Sequence, residues 1–250
     1  MQNAQKANVI ASNTFQELER IILDTDIRIQ LQPIVCLKSH EIVGYKAQAN
    51  GPEGSELERS EDLFSAATEH ELNDELEYAA LVTALDIQHT LPEGKFLSIQ
   101  VGSGLFLSKL FREIANLCQH IADDIAFELN EQVPLIELAF LEKQIKTVQE
   151  MGYRVILDVT RHGASNMERA QKLKPSVIKL CLESATLIST DPNEREIFNN
   201  MIRELGGQTE LQVDCIENSA QLLMLEDLGI HLGQGQLLSQ TNTLGSVFSQ

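Results

Sequence analysis

The chain has 250 residues, 43% of them apolar, and a formal net charge of -18. This length and composition suffice to bury a sizeable core, in one domain or two. The negative charge repels phosphate backbones and anionic lipid surfaces, so we expect neither nucleic acid nor a membrane as a partner. No apolar stretch reaches the roughly 18 residues of a membrane span, and no apolar signal core opens the chain, which predicts a cytoplasmic protein.

The N-terminal part is predicted to be a tail and one leading helix over residues 1–26. Thr14 and Glu17 make a capping box, and the apolar residues behind it recur at helical spacing, so this helix should pack on the body of the protein. Two strand-like runs follow at residues 27–37 and 41–49. The short polar turn between them predicts an antiparallel pair.

The rest of the chain alternates between helical patterns and short apolar runs. Six of these runs are predicted strands, at residues 96–101, 125–129, 154–159, 177–180, 210–213 and 230–234. The pair Asp191-Pro192 predicts the start of a helix, and Gly152 predicts the end of one. Eight strands in all favour an α/β fold, a (β/α)8 TIM-like barrel over residues 27–243 with a tail at 244–250, over the alternative of an open doubly wound sheet.

The predicted strands end in polar residues. In a parallel barrel, functional side chains gather at the carboxyl ends of the strands. The residues at these ends are Glu128, Glu131, Asp158, Lys179, Asp214, Glu217 and Gln234. Carboxylates around one mouth are what a hard divalent cation requires, and a nearby lysine can stabilise a phosphoryl charge. The alternative is that these carboxylates cap the following helices or face solvent.

The four cysteines and six histidines show no local metal-binding spacing. We expect the cysteines to be reduced and mostly buried. His162, Cys181 and Cys215 each follow one of three successive predicted strands, so a transition-metal site formed by these three residues is an alternative. Small cysteines that fill space at strand ends are the commoner explanation.

Seven segments carry a resemblance to a known family. The first joins LQPIV at residues 31–35 to IVGYKAQ at residues 42–48, and the others are LSIQ, FELNE, LDV, IKLC, VDCIE and QG, which begin at residues 97, 127, 157, 178, 213 and 234. In this order they resemble the motifs of EAL domains, the cyclic-di-GMP phosphodiesterase family. The resemblance covers about residues 28–240 and implies the family's barrel, in which the first strand runs antiparallel to its neighbours.

The resemblance implies that active members hold one or two Mg²⁺ or Mn²⁺ ions with carboxylates and an asparagine. Here Lys46 stands in place of the motif glutamate, Gln100 of the asparagine, and Val159 of the second aspartate. An ammonium group repels a divalent cation, and valine offers no oxygen ligand. We therefore expect no hydrolysis and no cofactor, with Mg²⁺ or Mn²⁺ bound only if the altered site still holds metal. The vestigial catalytic positions are Glu128, Asp158, Lys179, Asp214 and Glu217.

The resemblance also implies a nucleotide pocket. The candidate nucleotide-binding residues are Gln32, Lys46, Asn50, Lys179 and Gln234. Asn50 falls where the family has a phosphate-contacting arginine, the family's D-F-G-T-G loop reads VTRHG at residues 159–163, and QT at 240–241 replaces an R-P ending. We therefore expect weak or no binding of cyclic-di-GMP.

The function we favour is an inactive signalling domain that acts through a protein partner or as a homodimer. The loop and helix after Val159 are the expected contact surface. We also expect Lys46 to lie among the surviving carboxylates and to neutralise them in place of the missing ion. The alternatives are a cyclic-di-GMP receptor and a residual metal-dependent phosphodiesterase.

Overall fold

The computed structural model describes residues 2–130, 138–159, 169–170, 172–205 and 209–238. Its eight strands close into a barrel in chain order. They are β1 (Arg28–Cys36), β2 (Ile42–Asn50), β3 (Phe96–Val101), β4 (Ile125–Asn130), β5 (Arg154–Val159), β6 (Val177–Leu180), β7 (Glu210–Val213) and β8 (Leu232–Gly233). Neighbours from β3 to β8 are parallel, and β1 pairs antiparallel with β8. The predicted barrel and its antiparallel first strand are confirmed.

Helices occupy most of the segments between the strands. Among the described residues they are α1 (Gln2–Asp24), α2 (Ser60–Glu69), α3 (Asn73–Ile87), α4 (Ser103–Leu107), α5 (Lys109–Leu117), α6 (Leu138–Glu150), α7 (Leu182–Thr190), α8 (Pro192–Leu205) and α9 (Ser219–Asp227), with 3₁₀ turns at Gln88–Thr90 and Gln119–Asp124. The start of α8 is as predicted, because Asp191 Oδ1 accepts a hydrogen bond of 2.8 Å from the Asn193 N–H.

Two local predictions were wrong. Helix α1 begins at Gln2, so Thr14 lies inside the helix and does not cap it. The residues before Thr14 include alanine, glutamine and lysine, all of which favour a helix. The last strand is also shorter than expected, because the Ile230 N–H bonds to the Leu225 carbonyl at the end of α9 and delays the strand.

The described residues divide into two compact units, and the first draws on residues up to 31 and on residues 47–90. Its core packs Leu18 and Ile21 of α1 with Leu63 of α2 and Leu76 of α3, and all four are fully buried. The three- and four-residue spacing on α1 is what places its apolar side chains on one face.

The second unit draws on residues 32–46 and on residues from 91 onward, and it contains most of the barrel. An apolar layer lies inside it, formed by Ile34, Phe96, Ala126, Ile156, Val177 and Leu232. Gly44 permits this packing, because a Cβ atom there would lie 2.7 Å from the Phe96 carbonyl oxygen and 2.8 Å from its ring.

A polar layer lies above the apolar one, toward the carboxyl ends of β3 to β8. It consists of five buried residues, Ser98, Glu128, Lys179, Gln212 and Gln234. Side chains two positions apart on a strand leave the same face. Four of the five follow an apolar-layer residue by two positions, so the polar layer also points into the barrel.

Candidate functional site

The polar layer and the strand ends around it carry a cluster of charged side chains. We call Lys46, Glu128, Asp158, Lys179 and Asp214 the ion cluster. Four of them lie on β2, β4, β5 and β6, and Asp214 follows β7 directly. The register places Asp158 beside Lys179, so neighbouring strands deliver opposite charges at one level of the barrel.

Glu128 is the centre of the ion cluster, and its side chain is only 2% exposed. Its Oε1 atom accepts hydrogen bonds from the ammonium groups of both Lys179, at 2.6 Å, and Lys46, at 2.8 Å. The other carboxylate oxygen accepts from the Ser98 hydroxyl at 3.3 Å. Both oxygens of this buried carboxylate are therefore engaged, which offsets much of the cost of its desolvation.

Lys179 connects Glu128 to the remaining carboxylates. Its Nζ atom lies 2.7 Å from Asp214 Oδ2 and 3.3 Å from Asp158 Oδ2. Only 5% of the Lys179 side chain is exposed, against 19% for Asp158 and 27% for Asp214. One ammonium group thus holds three carboxylates, and its three N–H donors match that number.

The ion cluster shifts the pKa values of its members in opposite directions. Burial raises the pKa of Glu128, but the ammonium groups of Lys179 and Lys46 outweigh it and hold the pKa at about 2. Burial lowers the pKa of Lys179, but the charges of Glu128, Asp214 and Asp158 outweigh it, so its pKa is raised. For Asp158, burial outweighs the attraction of Lys179 and raises the pKa. Two ammonium groups thus face three carboxylates, one of which is held closer to neutrality.

The ammonium groups of the ion cluster oppose the binding of a divalent metal ion at Glu128. Lys46 is bonded to the carboxylate on which an ion would depend, and the Val159 side chain, 3% exposed, has no oxygen. A metal ion at Glu128 would lie against two ammonium groups. Within the part of the chain that the structure describes, no group of three His, Cys, Asp or Glu residues is arranged to hold a metal.

The other predicted site residues have separate surroundings. Gln100 is exposed on β3, beside Glu128 in the register, and Gln32 is half-buried on β1. Asn50, in the first unit, uses its amide locally: it donates to the Gln48 carbonyl at 3.0 Å and accepts from the Ser60 N–H at 3.2 Å. Glu217 is exposed at the start of the turn before α9. Gln234 is buried and bonded to Gln212.

Several predictions concern residues outside the described part of the chain. They are Glu131, the loop at 160–163 with Arg161 and His162, most of the contact surface after Val159, residues 240–241 and the tail at 244–250. The candidate transition-metal site therefore lacks a described His162. Of its cysteines, Cys181 caps α7 by accepting from the Ser184 N–H at 3.4 Å, and Cys215 is exposed. The expectation that the cysteines are mostly buried is wrong, because the other three are only half-buried.

Two members of the polar layer were missed in the sequence. Ser98 lies in an apolar run and Gln212 in the short strand ELQV, and their shortest side-chain hydrogen bonds go to Glu128 and Gln234, which lie on other strands or strand ends. The signal that could have found them is the period of two, because Ser98 precedes Gln100 and Gln212 precedes Asp214 on the same strand face.

An eight-stranded barrel with one antiparallel strand and a charged cluster at its carboxyl end defines a class of TIM-like α/β barrels. The EAL domain profile matches residues 16–241, and the chain belongs to this family. It is 26% identical over 237 residues to "Probable cyclic di-GMP phosphodiesterase PdeB" of Escherichia coli (strain K12). That match covers 89% of the chain but 44% of the relative, so the chain spans less than half of that protein.

Solved structures show the same fold. The EAL domain of Xanthomonas citri FimX, in complex with c-diGMP, matches with a TM-score of 0.81 and 15% identity over 96% of this chain and 97% of that one. An EAL domain protein of Listeria monocytogenes EGD-e matches with a TM-score of 0.73 and 17% identity over 90% and 92%. No helix in the described ranges is long and apolar enough to cross a membrane.

Proposed function

We propose that this barrel is a catalytically inactive EAL signalling domain of the cytoplasm that acts through protein contacts and binds cyclic-di-GMP weakly or not at all. One observation carries the proposal: the Lys46 ammonium lies 2.8 Å from Glu128 Oε1. A side chain of the protein itself thereby provides the positive charge that a divalent ion would bring to this carboxylate.

The loss of hydrolysis follows from the state of Glu128. Metal-assisted cleavage needs an ion with an open position for water. An ion that entered here would have to displace Lys46, and Lys179 would still lie 2.6 Å from the same oxygen. Val159 supplies no further ligand, so the ion would also lack the oxygen ligands of a six-coordinate site.

Weak nucleotide binding follows from the charge of the same site. Cyclic-di-GMP is a dianion, and the ion cluster contributes two ammonium groups against three carboxylates, so no positive charge is left over. Asn50 provides no charge where a phosphate-contacting arginine would be expected. An acidic chain with a net charge of -18 adds a repulsive field.

The first test is a calorimetric titration of the protein with cyclic-di-GMP, with and without Mg²⁺ or Mn²⁺, followed by analysis of the recovered nucleotide. We expect no heat and no linear product. Micromolar or tighter binding with intact nucleotide would make the domain a receptor. Metal-dependent conversion to a linear product would make it a phosphodiesterase and would overturn the role given to Lys46.

A pair of variants tests that role directly. In Lys46→Glu a carboxylate returns to the motif position, and Lys46→Gln removes the ammonium without adding a carboxylate. Because Lys46→Glu removes one ammonium and adds an oxygen ligand while Val159 is unchanged, we expect Mn²⁺ to raise its melting temperature by less than a complete site would, and not to raise that of Lys46→Gln or of the wild type. An equal rise in the wild type would show that Lys46 does not exclude metal.

The protein-contact part of the proposal needs its own measurement. Light scattering coupled to size exclusion, over a range of concentrations, decides whether the domain is a homodimer. A monomer at all concentrations would leave a heterologous protein as the expected partner. A partner that binds equally well to a barrel unfolded by mutation would contradict the proposal, because the folded surface would then not be what it recognises.

A further inference from the structure

The polar layer contains a pair of glutamine side chains outside the ion cluster. Gln212 of β7 is fully buried, and Gln234, directly after β8, is 1% exposed. The Gln212 Nε2 atom donates a 2.7 Å hydrogen bond to Gln234 Oε1. This single bond uses only part of the hydrogen-bonding capacity of the two carboxamides.

The orientation of the pair is fixed by its surroundings. Gln212 Nε2 also lies 3.5 Å from Asp214 Oδ1. If the Gln212 amide were turned over, its oxygen would face both the Asp214 carboxylate and the Gln234 carbonyl oxygen, so the orientation with Nε2 toward them is favoured. Gln212 Oε1 and Gln234 Nε2 are then left over, and neither has a hydrogen-bond partner among the described residues.

The two leftover atoms are an acceptor and a donor, and this restricts the ligand that they can take. A cation is disfavoured by the N–H groups of Gln234 Nε2 and by Lys179, the register neighbour of Gln212. An anion is disfavoured by Asp214. Because both side chains are enclosed, the ligand must also be small. A neutral molecule that donates one hydrogen bond and accepts another meets all three conditions.

We infer that Gln212 and Gln234 bind an internal water molecule inside the barrel between β7 and β8. The water accepts a hydrogen bond from Gln234 Nε2 and donates one to Gln212 Oε1. Enclosed polar groups of folded proteins are commonly satisfied in this way. Gln212 thus helps to fix the position of a water molecule inside the barrel, independently of whether the domain hydrolyses or binds a nucleotide.

A crystal structure at a resolution that shows ordered water tests this inference. We expect electron density for a water at roughly 2.7–3.2 Å from both Gln212 Oε1 and Gln234 Nε2. Wild-type density decides the matter even if a variant fails to fold. The inference is overturned if that position holds no density, an ion, or an atom from a residue outside the described ranges.

Water relaxation dispersion in solution gives a second readout. It counts waters that stay bound for longer than surface waters do. Gln212→Met, which keeps the side-chain length but removes both polar atoms, should lose at least one long-lived water. Gln119→Met, at an exposed glutamine, is the matched control and should lose none. Equal counts in the wild type and in Gln212→Met would contradict the inference.

Discussion

The apolar and polar layers of the barrel lie two residues apart on the same strands and are held together by different forces. In the apolar layer, Phe96, Ala126 and Ile156 fit by shape and by the exclusion of water. In the polar layer, Glu128 and Lys179 are equally buried, but each depends on particular partners at 2.6 Å to 3.3 Å. Burial therefore stabilises one layer outright and the other only while its charges remain paired.

This difference shows how the site can change while the fold persists. A residue of the polar layer can be replaced if the new side chain balances the charges left behind. Lys46 meets this condition, because it reaches Glu128 from a half-buried position on β2. The close contact between Gly44, two residues earlier on β2, and Phe96 of β3 does not involve the Lys46 side chain. A residue of the polar layer can thus be exchanged while the apolar core is kept.

The largest effect is expected from Lys179→Met, which removes the ammonium shared by three carboxylates. Glu128 would keep Lys46 and Ser98 but lose its closest ammonium partner, and Asp158 and Asp214 would lose the cation that they face. Breaking a buried ion pair by removing one partner costs about 3–5 kcal/mol. Urea denaturation should show a loss of unfolding free energy of that order.

The control for this substitution is Lys146→Met on α6. Lys146 pairs with Glu150 at 3.8 Å, but its side chain is 78% exposed. An exposed helical pair contributes only about 0.3–0.5 kcal/mol. If both lysine substitutions cost the same, the ion cluster does not hold the polar layer together.

A smaller effect is expected from Lys46→Met. Glu128 keeps Lys179 and Ser98, so the carboxylate stays paired after the change. A hydrogen bond to a charged group contributes about 1.5–3 kcal/mol, and the Lys46 side chain is 18% exposed, which favours the lower end. Denaturation by urea measures the loss of unfolding free energy. An increase in stability would show that Lys46 is not a structural replacement for a metal ion.

The fold could be predicted because its signals are local and repeated. The runs at 96–101, 154–159, 177–180 and 210–213 are bounded as the structure has them, since each is a short apolar strand followed by a polar end. The first residue of the short β8 could not be predicted, because it depends on the hydrogen bond from the Ile230 N–H to the Leu225 carbonyl. Contacts that lie outside a strand leave no periodic signal in it.

The ion cluster could be predicted only as a set of residue types. Functional side chains lie at the carboxyl ends of parallel barrel strands, which predicts that Glu128, Asp158, Lys179 and Asp214 lie at the same end of the barrel. In the structure these four form one group of ion pairs centred on Lys179. The sequence does not say which oxygen Lys46 approaches, nor that Gln212 lies beside Gln234. Those facts depend on side-chain geometry across strands far apart in sequence.

The apolar layer supplies the third comparison, through Ile156→Val. Ile156 is fully buried, and removing one methyl group there leaves a small cavity. Such a change costs about 0.5–1.5 kcal/mol. We therefore expect urea denaturation to show a smaller loss of unfolding free energy than for Lys46→Met, although Ile156 is more deeply buried than Lys46. The reverse order would mean that packing, and not charge pairing, limits the stability of the barrel.

A further effect, which appears only on acidification, is expected in the pH dependence of stability. The pKa of Glu128 falls from 4.5 to about 2 on folding, so its contribution to the free energy of unfolding is present above pH 4.5 and is lost as the pH falls toward 2. Asp158 acts in the opposite sense. Its pKa is raised above 3.8 in the folded state, so its contribution is present below pH 3.8 and is lost as the pH rises through the raised value.

Because the two carboxyl groups oppose each other, only part of the Glu128 contribution should be visible. One proton changes the slope by at most about 1.4 kcal/mol per pH unit. Urea denaturation between about pH 5 and pH 3 should give a flatter dependence for Glu128→Gln than for the wild type, whatever the overall stability of the variant. Glu150→Gln, on a side chain that is 66% exposed, should keep the wild-type slope. Parallel slopes for the wild type and Glu128→Gln would mean that Glu128 is not held ionised by its two lysines, and the charge pairing that distinguishes the polar layer from the apolar layer would then lie elsewhere.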